Sequence, residues 1–179
     1  AIGLVGSEMC IRDRLNTALA GSDPVIFFEP KRIYRAFREP VPNEAYTLPI
    51  GKARVVTEGT DLTVVAWGAM VVEAAKAAEQ SDASVELIDL RTISPLDEDT
   101  ILASVEKTGR CVICQEAPLT LGLASEISSL VTERCFLHLE APVQRVAGFD
   151  TIMPYYKLEM EYLPGPDRIS AAIDETLRY

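Results

Sequence analysis

One histidine, His138, in 179 residues leaves little room for acid–base or metal chemistry. A Ser-His-Asp or Cys-His site would have to use it, yet it lies in the apolar run Phe136-Leu137-His138-Leu139 near an expected strand, and there is no Gly-x-Ser-x-Gly elbow. A structural or surface role is expected for it. The chain also lacks a Gly-x-x-x-x-Gly-Lys phosphate loop and a Gly-x-Gly-x-x-Gly dinucleotide loop, so neither nucleotide class finds its usual backbone cradle. The longest apolar run, Leu62 to Val72, is far below the roughly eighteen residues that cross a bilayer. The N-terminus has no basic region followed by an apolar core and a small-residue cleavage site, so secretion is not supported. Positive charge is scarce: 17 Lys and Arg stand against 27 Asp and Glu, for a net charge of −10. The basic residues cluster at Lys31, Arg32, Arg35 and Arg38, too few for general nucleic-acid binding, while the acidic surface favours basic protein partners.

What is present is the material of an ordinary core. The chain is 48 % apolar, and at this length it buries roughly 70 % of its unfolded surface without disulfides or structural metal. With a reducing compartment as the default, Cys10, Cys111, Cys114 and Cys135 are expected to act as buried small hydrophobes. Cys111-Val112-Ile113-Cys114 has the form of a redox motif, but it falls inside an expected strand and not at the helix N-terminus that activates a thiol. The same geometry argues against zinc. Of the ligand set Cys111, Cys114, Cys135 and His138, the first two are three apart on a strand and point to opposite faces.

Residues 1–14 show no helical or strand period continuous with the rest of the chain; they are expected to be a non-native leader without a fold, and Cys10 is set aside with them. From Leu15 onward strands and helices alternate. Val25-Ile26-Phe27-Phe28 reads as a short buried strand, followed by an extended connection marked by Pro40, Pro42 and Pro49 and closed by Gly51. Strands are expected at Ala53 to Val56, Leu62 to Trp67, Val85 to Leu90, around Val112 and Ile113, and at Val143 to Val146. The run from Leu62 suits a central strand covered on both faces.

The helix after Gly68 should bury Val71, Ala74, Ala75 and Ala78 and turn Glu73, Lys76, Glu79 and Gln80 to solvent. A second helix follows Ser94-Pro95-Leu96-Asp97, with Ser or Asp as cap, Pro in the first turn and Gly109 as stop. A third should bury Leu123, Ile127, Leu130 and Val131, and the last, from Pro166, should bury Ile169, Ala172, Ile173 and Leu177. The acidic groups Asp97-Glu98-Asp99 and Glu159 with Glu161 read as solvated faces. The repeated β-α order predicts a three-layer α/β/α domain with a mostly parallel five-stranded sheet and right-handed crossovers.

Phe27-Phe28-Glu29-Pro30-Lys31-Arg32-Ile33-Tyr34-Arg35, Glu58-Gly59-Thr60-Asp61-Leu62-Thr63-Val64-Val65-Ala66-Trp67-Gly68, Ile88-Asp89-Leu90-Arg91-Thr92-Ile93-Ser94-Pro95-Leu96-Asp97 and Lys107-Thr108-Gly109-Arg110 occur in order. Together they resemble the beta subunit of the thiamine-diphosphate-dependent 2-oxoacid dehydrogenases, with its transketolase-like C-terminal domain. Glu116-Ala117-Pro118-Leu119-Thr120, Ala124-Ser125-Glu126-Ile127-Ser128-Ser129 and Cys135-Phe136-Leu137-His138-Leu139-Glu140-Ala141-Pro142 look most like the branched-chain member. The likeness covers roughly residues 15–179, with 15–52 as the remnant of a preceding domain and linker and 53–179 as the transketolase C-terminal-like domain. It departs at two places. Gln115 stands where such relatives often carry His, which would remove a hydrogen-bonding ring. Leu121 stands where a second Gly is usual, and Leu does not take positive φ as Gly does.

The resemblance implies the C-terminal part of a branched-chain 2-oxoacid dehydrogenase beta subunit, serving subunit association and docking to the acyltransferase core. Its partners would be the alpha subunit, a second beta subunit and the subunit-binding domain of the lipoyl acyltransferase. Thiamine diphosphate and magnesium would be held elsewhere in the complete complex and not by this chain, so no catalytic, cofactor-binding or metal-binding residue is assigned. Asp174, Glu175 and Tyr179 are the candidate partner-binding residues. Pyruvate or acetoin dehydrogenase beta chains, or a free-standing non-catalytic interaction domain, are the alternative readings. The implied compartment is the cytoplasm in a bacterium or the mitochondrial matrix in a eukaryote.

Overall fold

The computed structural model describes residues 8–33 and 47–179, with side chains from residue 14 onward. Arg35, Arg38, Pro40, Pro42 and the side chain of Cys10 lie outside the described residues. Among the described residues five strands form one sheet: β1 (Arg54–Thr57), β2 (Leu62–Ala66), β3 (Val85–Asp89), β4 (Cys111–Pro118) and β5 (Gln144–Gly148), in the order β1-β3-β2-β4-β5. β1 runs antiparallel on the β3 edge, and the other pairings are parallel. The helices are α1 (Glu8–Ala20), α2 (Met70–Gln80), α3 (Glu98–Thr108), α4 (Leu123–Cys135), α5 (Glu159–Tyr162) and α6 (Pro166–Thr176). The expected α/β/α sandwich with a mostly parallel five-stranded sheet is the architecture found.

Strand alternation divides the core into two. Leu62, Val64, Leu87, Val112 and Cys114 face α2 and α6, whereas Val65, Ile88, Cys111 and Ile113 face α3 and α4. Every residue of β2 and β3 is buried, as a parallel sheet covered on both sides requires. Cys111 and Cys114 therefore sit in different clusters, and burial lifts the Cys111 thiol to about 12 and Cys114 higher still. Gly109, in the left-handed region at φ 70°, stops α3 as expected.

One polar network crosses the α3 face. Thr63 Oγ1 lies 2.7 Å from both Ser104 Oγ and Thr108 Oγ1, tying β2 to α3 where an apolar side chain is otherwise expected. Beside it the buried Glu86 carboxylate accepts from Lys107 Nζ and, at 3.3 Å, from the Gly59 N–H. Burial pushes this carboxyl up, but the bonds from Lys107, Ser104 and Gly59 outweigh burial and hold it below the usual glutamate range.

Several local expectations are corrected. Residues 8–14 join α1, because Glu, Met, Arg, Leu and Ala favour helix by propensity without an apolar stripe that would show as a period. Val25–Phe28 is not a strand: the segment pairs with none of the described strands, and Ile26 and Phe28 are 81 % and 83 % exposed. Glu73 is buried and not on a solvent face, since Arg32 reaches it at 3.0 Å and Lys76 at 3.3 Å.

Asp97 occupies the N-cap position of α3 but does not bond the helix N–H groups. It is buried, accepting from the Ala53 N–H at 2.9 Å, the Thr100 hydroxyl at 2.8 Å and Lys52 at 3.3 Å, and Pro95 lies ahead of the first turn. Leu123 and Leu130 are partly buried, while Ala124 and Cys135 complete the inner face of α4 with Ile127 and Val131. His138 is exposed on a single 3-10 turn, Phe136–His138, in keeping with the surface role expected for it.

The Glu86 network yields a pH-dependent prediction. A carboxyl with a lowered folded-state pKa contributes stability above the unfolded value of about 4.3, and that contribution is lost as pH falls through the folded value. Glu86→Gln should cost about 1–2 kcal/mol at pH 7, and the gap from wild type in urea unfolding should close as the pH drops below about 4. A gap that is constant from neutral to acid pH would contradict the assignment. Cys111 and Cys114 should resist alkylation in the native protein at pH 8 and react on unfolding, read by mass mapping.

Candidate subunit interface

After β2 the chain steps to β3 on one side and then returns to β4 on the other, so direction reverses between β2 and β4. In open α/β sheets such a reversal places function at the carboxyl ends of the flanking strands. Here the β4 end continues as Leu119–Gly122 into α4. Gln115, fully buried in β4, fastens this connection: its Nε2 donates to Pro118 O at 2.7 Å and Ala117 O at 3.4 Å, while its Oε1 accepts from the Ala124 N–H at 2.8 Å. The amide thus supplies donor and acceptor together, so the expected loss of hydrogen bonding at this position does not occur. A Cβ at residue 122 would overlap Gln115 Nε2, so any larger residue there would push the amide out of this arrangement.

The connection is tied from outside as well. Arg145 of β5 donates to Leu119 O at 3.2 Å and to Ser125 Oγ at 2.5 Å. Asp150 accepts from the Thr120 N–H at 2.8 Å and from its hydroxyl at 2.5 Å. These two Thr120 bonds, with help from the Arg145 charge, hold the Asp150 carboxyl below the usual aspartate range. Between these ties Leu121 does adopt positive φ, at 60°, and is 98 % exposed, contrary to the expectation that Leu would not accept that geometry.

Asp150 also begins the segment that follows β5. Phe149 packs edge-on against Tyr162 with ring centres 6.3 Å apart, and the Arg168 guanidinium lies 4.5 Å over its face while donating to Ala147 O at 2.6 Å. Beyond this anchor Ile152, Met153, Tyr155, Tyr156, Leu158 and Met160 are all exposed, Tyr155 at 91 %. A run of large apolar side chains open to water is a candidate contact surface. Sequence reasoning missed it. The available signal was a dense set of large apolar residues after the last strand with neither helical nor strand period.

Asp174 and Glu175 are exposed in the last turn of α6, and Tyr179 is exposed just beyond it. They lie together at the chain's C-terminal end, and α6 packs its other face on α2, β4 and β5.

A family model described as the C-terminal domain of transketolase matches residues 51–169. The chain belongs to that family. Among curated transketolase C-terminal relatives, it is 51 % identical over 162 residues to "Pyruvate dehydrogenase E1 component subunit beta" of Acholeplasma laidlawii, covering 89 % of this chain and 50 % of that protein. It is 50 % identical over 169 residues to "2-oxoisovalerate dehydrogenase subunit beta, mitochondrial" of Dictyostelium discoideum, covering 92 % and 45 %. The chain spans about half the length of these relatives. A solved structure titled "Split gene transketolase, inactive beta4 tetramer" superposes with a TM-score of 0.64 at 26 % identity, over 74 % of this chain and 43 % of that one.

Gln115→Met keeps the volume of the side chain and removes all its hydrogen bonds, leaving the buried Ala124 N–H without its side-chain acceptor. It should cost about 2–3 kcal/mol in urea unfolding, and Gly122→Ala should cost a similar amount through overlap with the intact amide.

Proposed function

We propose that this chain is the association domain of a 2-oxoacid dehydrogenase beta subunit, and that it joins a second copy of itself through the apolar segment 149–160. The observation that carries the reading is that segment, exposed at the carboxyl end of the sheet in a chain about half identical to two proteins named as beta subunits. At 51 %, 91 % and 80 % exposure, Phe149, Tyr155 and Tyr156 alone present on the order of 400 Å², half of what each partner gives to a standard interface. The structural relative titled as a beta4 tetramer supports self-association as the first partner.

On this reading the complete enzyme also includes an alpha subunit and meets the subunit-binding domain of a lipoyl acyltransferase. The acidic net charge of −10, with Asp174, Glu175 and Tyr179 exposed together, supports a basic docking partner there. The substrate is a branched-chain 2-oxoacid or pyruvate. The segments around Glu116 and Cys135 support the first, and the relatives named above support both equally.

Thiamine diphosphate and magnesium supply the carbanion chemistry of such a complex. The described residues do not fit them. Among those residues His, Cys, Asp and Glu form no group of three able to hold a metal ion. The opening beside α4, lined by Ser125, Ser128, Ser129, Thr132, Glu133 and Arg145, offers a single carboxylate and no large apolar side chain, short of the apolar walls a pyrimidine needs and the oxygen ligands a magnesium diphosphate needs. No residue here is assigned to that group.

The 179-residue chain with thiamine diphosphate, magnesium and either 3-methyl-2-oxobutanoate or pyruvate should release no carbon dioxide. In sedimentation it should form a concentration-dependent dimer. Turnover by the chain alone would sink the assignment of chemistry elsewhere, and a strict monomer would sink the proposed contact.

A further inference from the structure

Leu121 combines two properties that rarely occur together. Its backbone lies in the left-handed region, which disfavours a residue with a Cβ, and its side chain gains nothing in return, being 98 % exposed. A non-glycine residue persists in such a conformation where its surroundings over-determine it. Here they do. Gln115 fixes the carbonyls of Ala117 and Pro118 and the N–H of Ala124, Arg145 fixes Leu119 O, and Asp150 takes both polar groups of Thr120. The chain on either side of Leu121 is thereby held, and the isobutyl group projects into water beside the start of the apolar segment, to which Thr120 and Asp150 join it.

We infer that Leu121 is a contact residue of the self-association surface, presented in advance of binding, and that Gln115 and Asp150 are positioning residues that act through it. The inference rests on the association reading above and adds which side chain decides the match. The occupant is a second copy of this chain, meeting Leu121 with its own apolar 149–160 segment. Preorganisation explains why strain is tolerated here: a rigid knob avoids ordering costs when the two copies meet. Apolar anchors that fill a pocket at the centre of an interface carry most of its energy.

The test uses the 179-residue chain and three variants. Leu121→Gly removes the knob and relieves the backbone. Asp150→Ala cuts an exposed tie without opening the core, and the third variant combines the two. Dimer dissociation constants come from sedimentation, thermal midpoints from circular dichroism, and local protection at residues 117–122 from hydrogen exchange. Leu121→Gly should weaken the dimer at least about tenfold while its thermal midpoint at monomeric concentration stays the same or rises. Asp150→Ala should weaken the dimer, speed exchange at 117–122 and leave the midpoint unchanged. The double variant should be no weaker than Leu121→Gly alone, the mark of two residues acting as one unit.

If wild type dimerises and Leu121→Gly does so equally well, the inference falls while the association reading stands. Additive losses would remove the positioning role of Asp150. A wild-type chain that stays monomeric overturns the association reading and this inference with it.

Discussion

Burial of the central sheet on both faces is the constraint on which the rest of the molecule depends. β2 and β3 expose nothing, and the two faces are sealed by α2 with α6 and by α3 with α4. A parallel sheet closed in this way has no open face on which to mount chemistry or contacts, so its offer to other molecules is confined to strand ends and the connections that leave them. Two polar side chains that enter the sandwich, Thr63 and Glu86, are matched within it. Thr63 finds two hydroxyls on α3, and Glu86 finds Lys107 and a backbone N–H. Each tie locks a helix against a strand, where a mispaired group would cost more than an apolar residue could return.

At the carboxyl end the same logic operates with a different result. Gln115 belongs to the core by burial and to the surface by what it holds. Its amide ties the two ends of the β4–α4 connection and supplies the acceptor for the buried Ala124 N–H, and the glycine at 122 is the steric counterpart of that amide. Thr120 and Asp150 extend the tie to the segment after β5, and Arg168 with Phe149 and Tyr162 anchors that segment to α6. The exposed segment is thus continuous with the core through hydrogen bonds and through the packing of Phe149 on the buried Tyr162, which explains how its side chains are held in place.

Much of the architecture was legible from residue pattern. The continuous apolar run of β2, the opposed faces of Cys111 and Cys114 in β4, the stop at Gly109 and the spacing of Ile169, Ala172, Ile173 and Leu177 reflect local periods and turn chemistry that need no distant partner to be read. The errors have a common cause. Val25–Phe28 has the composition of a strand but pairs with no described strand, and strand formation is decided by a partner. Glu73 and Asp97 look like surface acids until Arg32 from a 3-10 turn and Ala53 from the approach to β1 arrive from about forty residues away. The likeness to transketolase C-terminal domains was also readable from ordered motifs, since sequence similarity over that length is itself a statement of shared fold.

By itself the amino-acid order determined the α/β alternation, the opposed faces of Cys111 and Cys114, and the family, because these depend on neighbours within a strand, a helix turn or a motif. Only the tertiary structure decided that Gln115 closes the β4–α4 connection, that Leu121 stands out at a glycine-like φ, and that the 149–160 segment is left open to water. Those outcomes turn on which groups meet across the sheet end. A hydrogen bond from Thr120 to a residue thirty positions later, or from Arg145 to a carbonyl twenty-six positions earlier, leaves no trace in local spacing, because the fold and not the chain brings the two groups within reach.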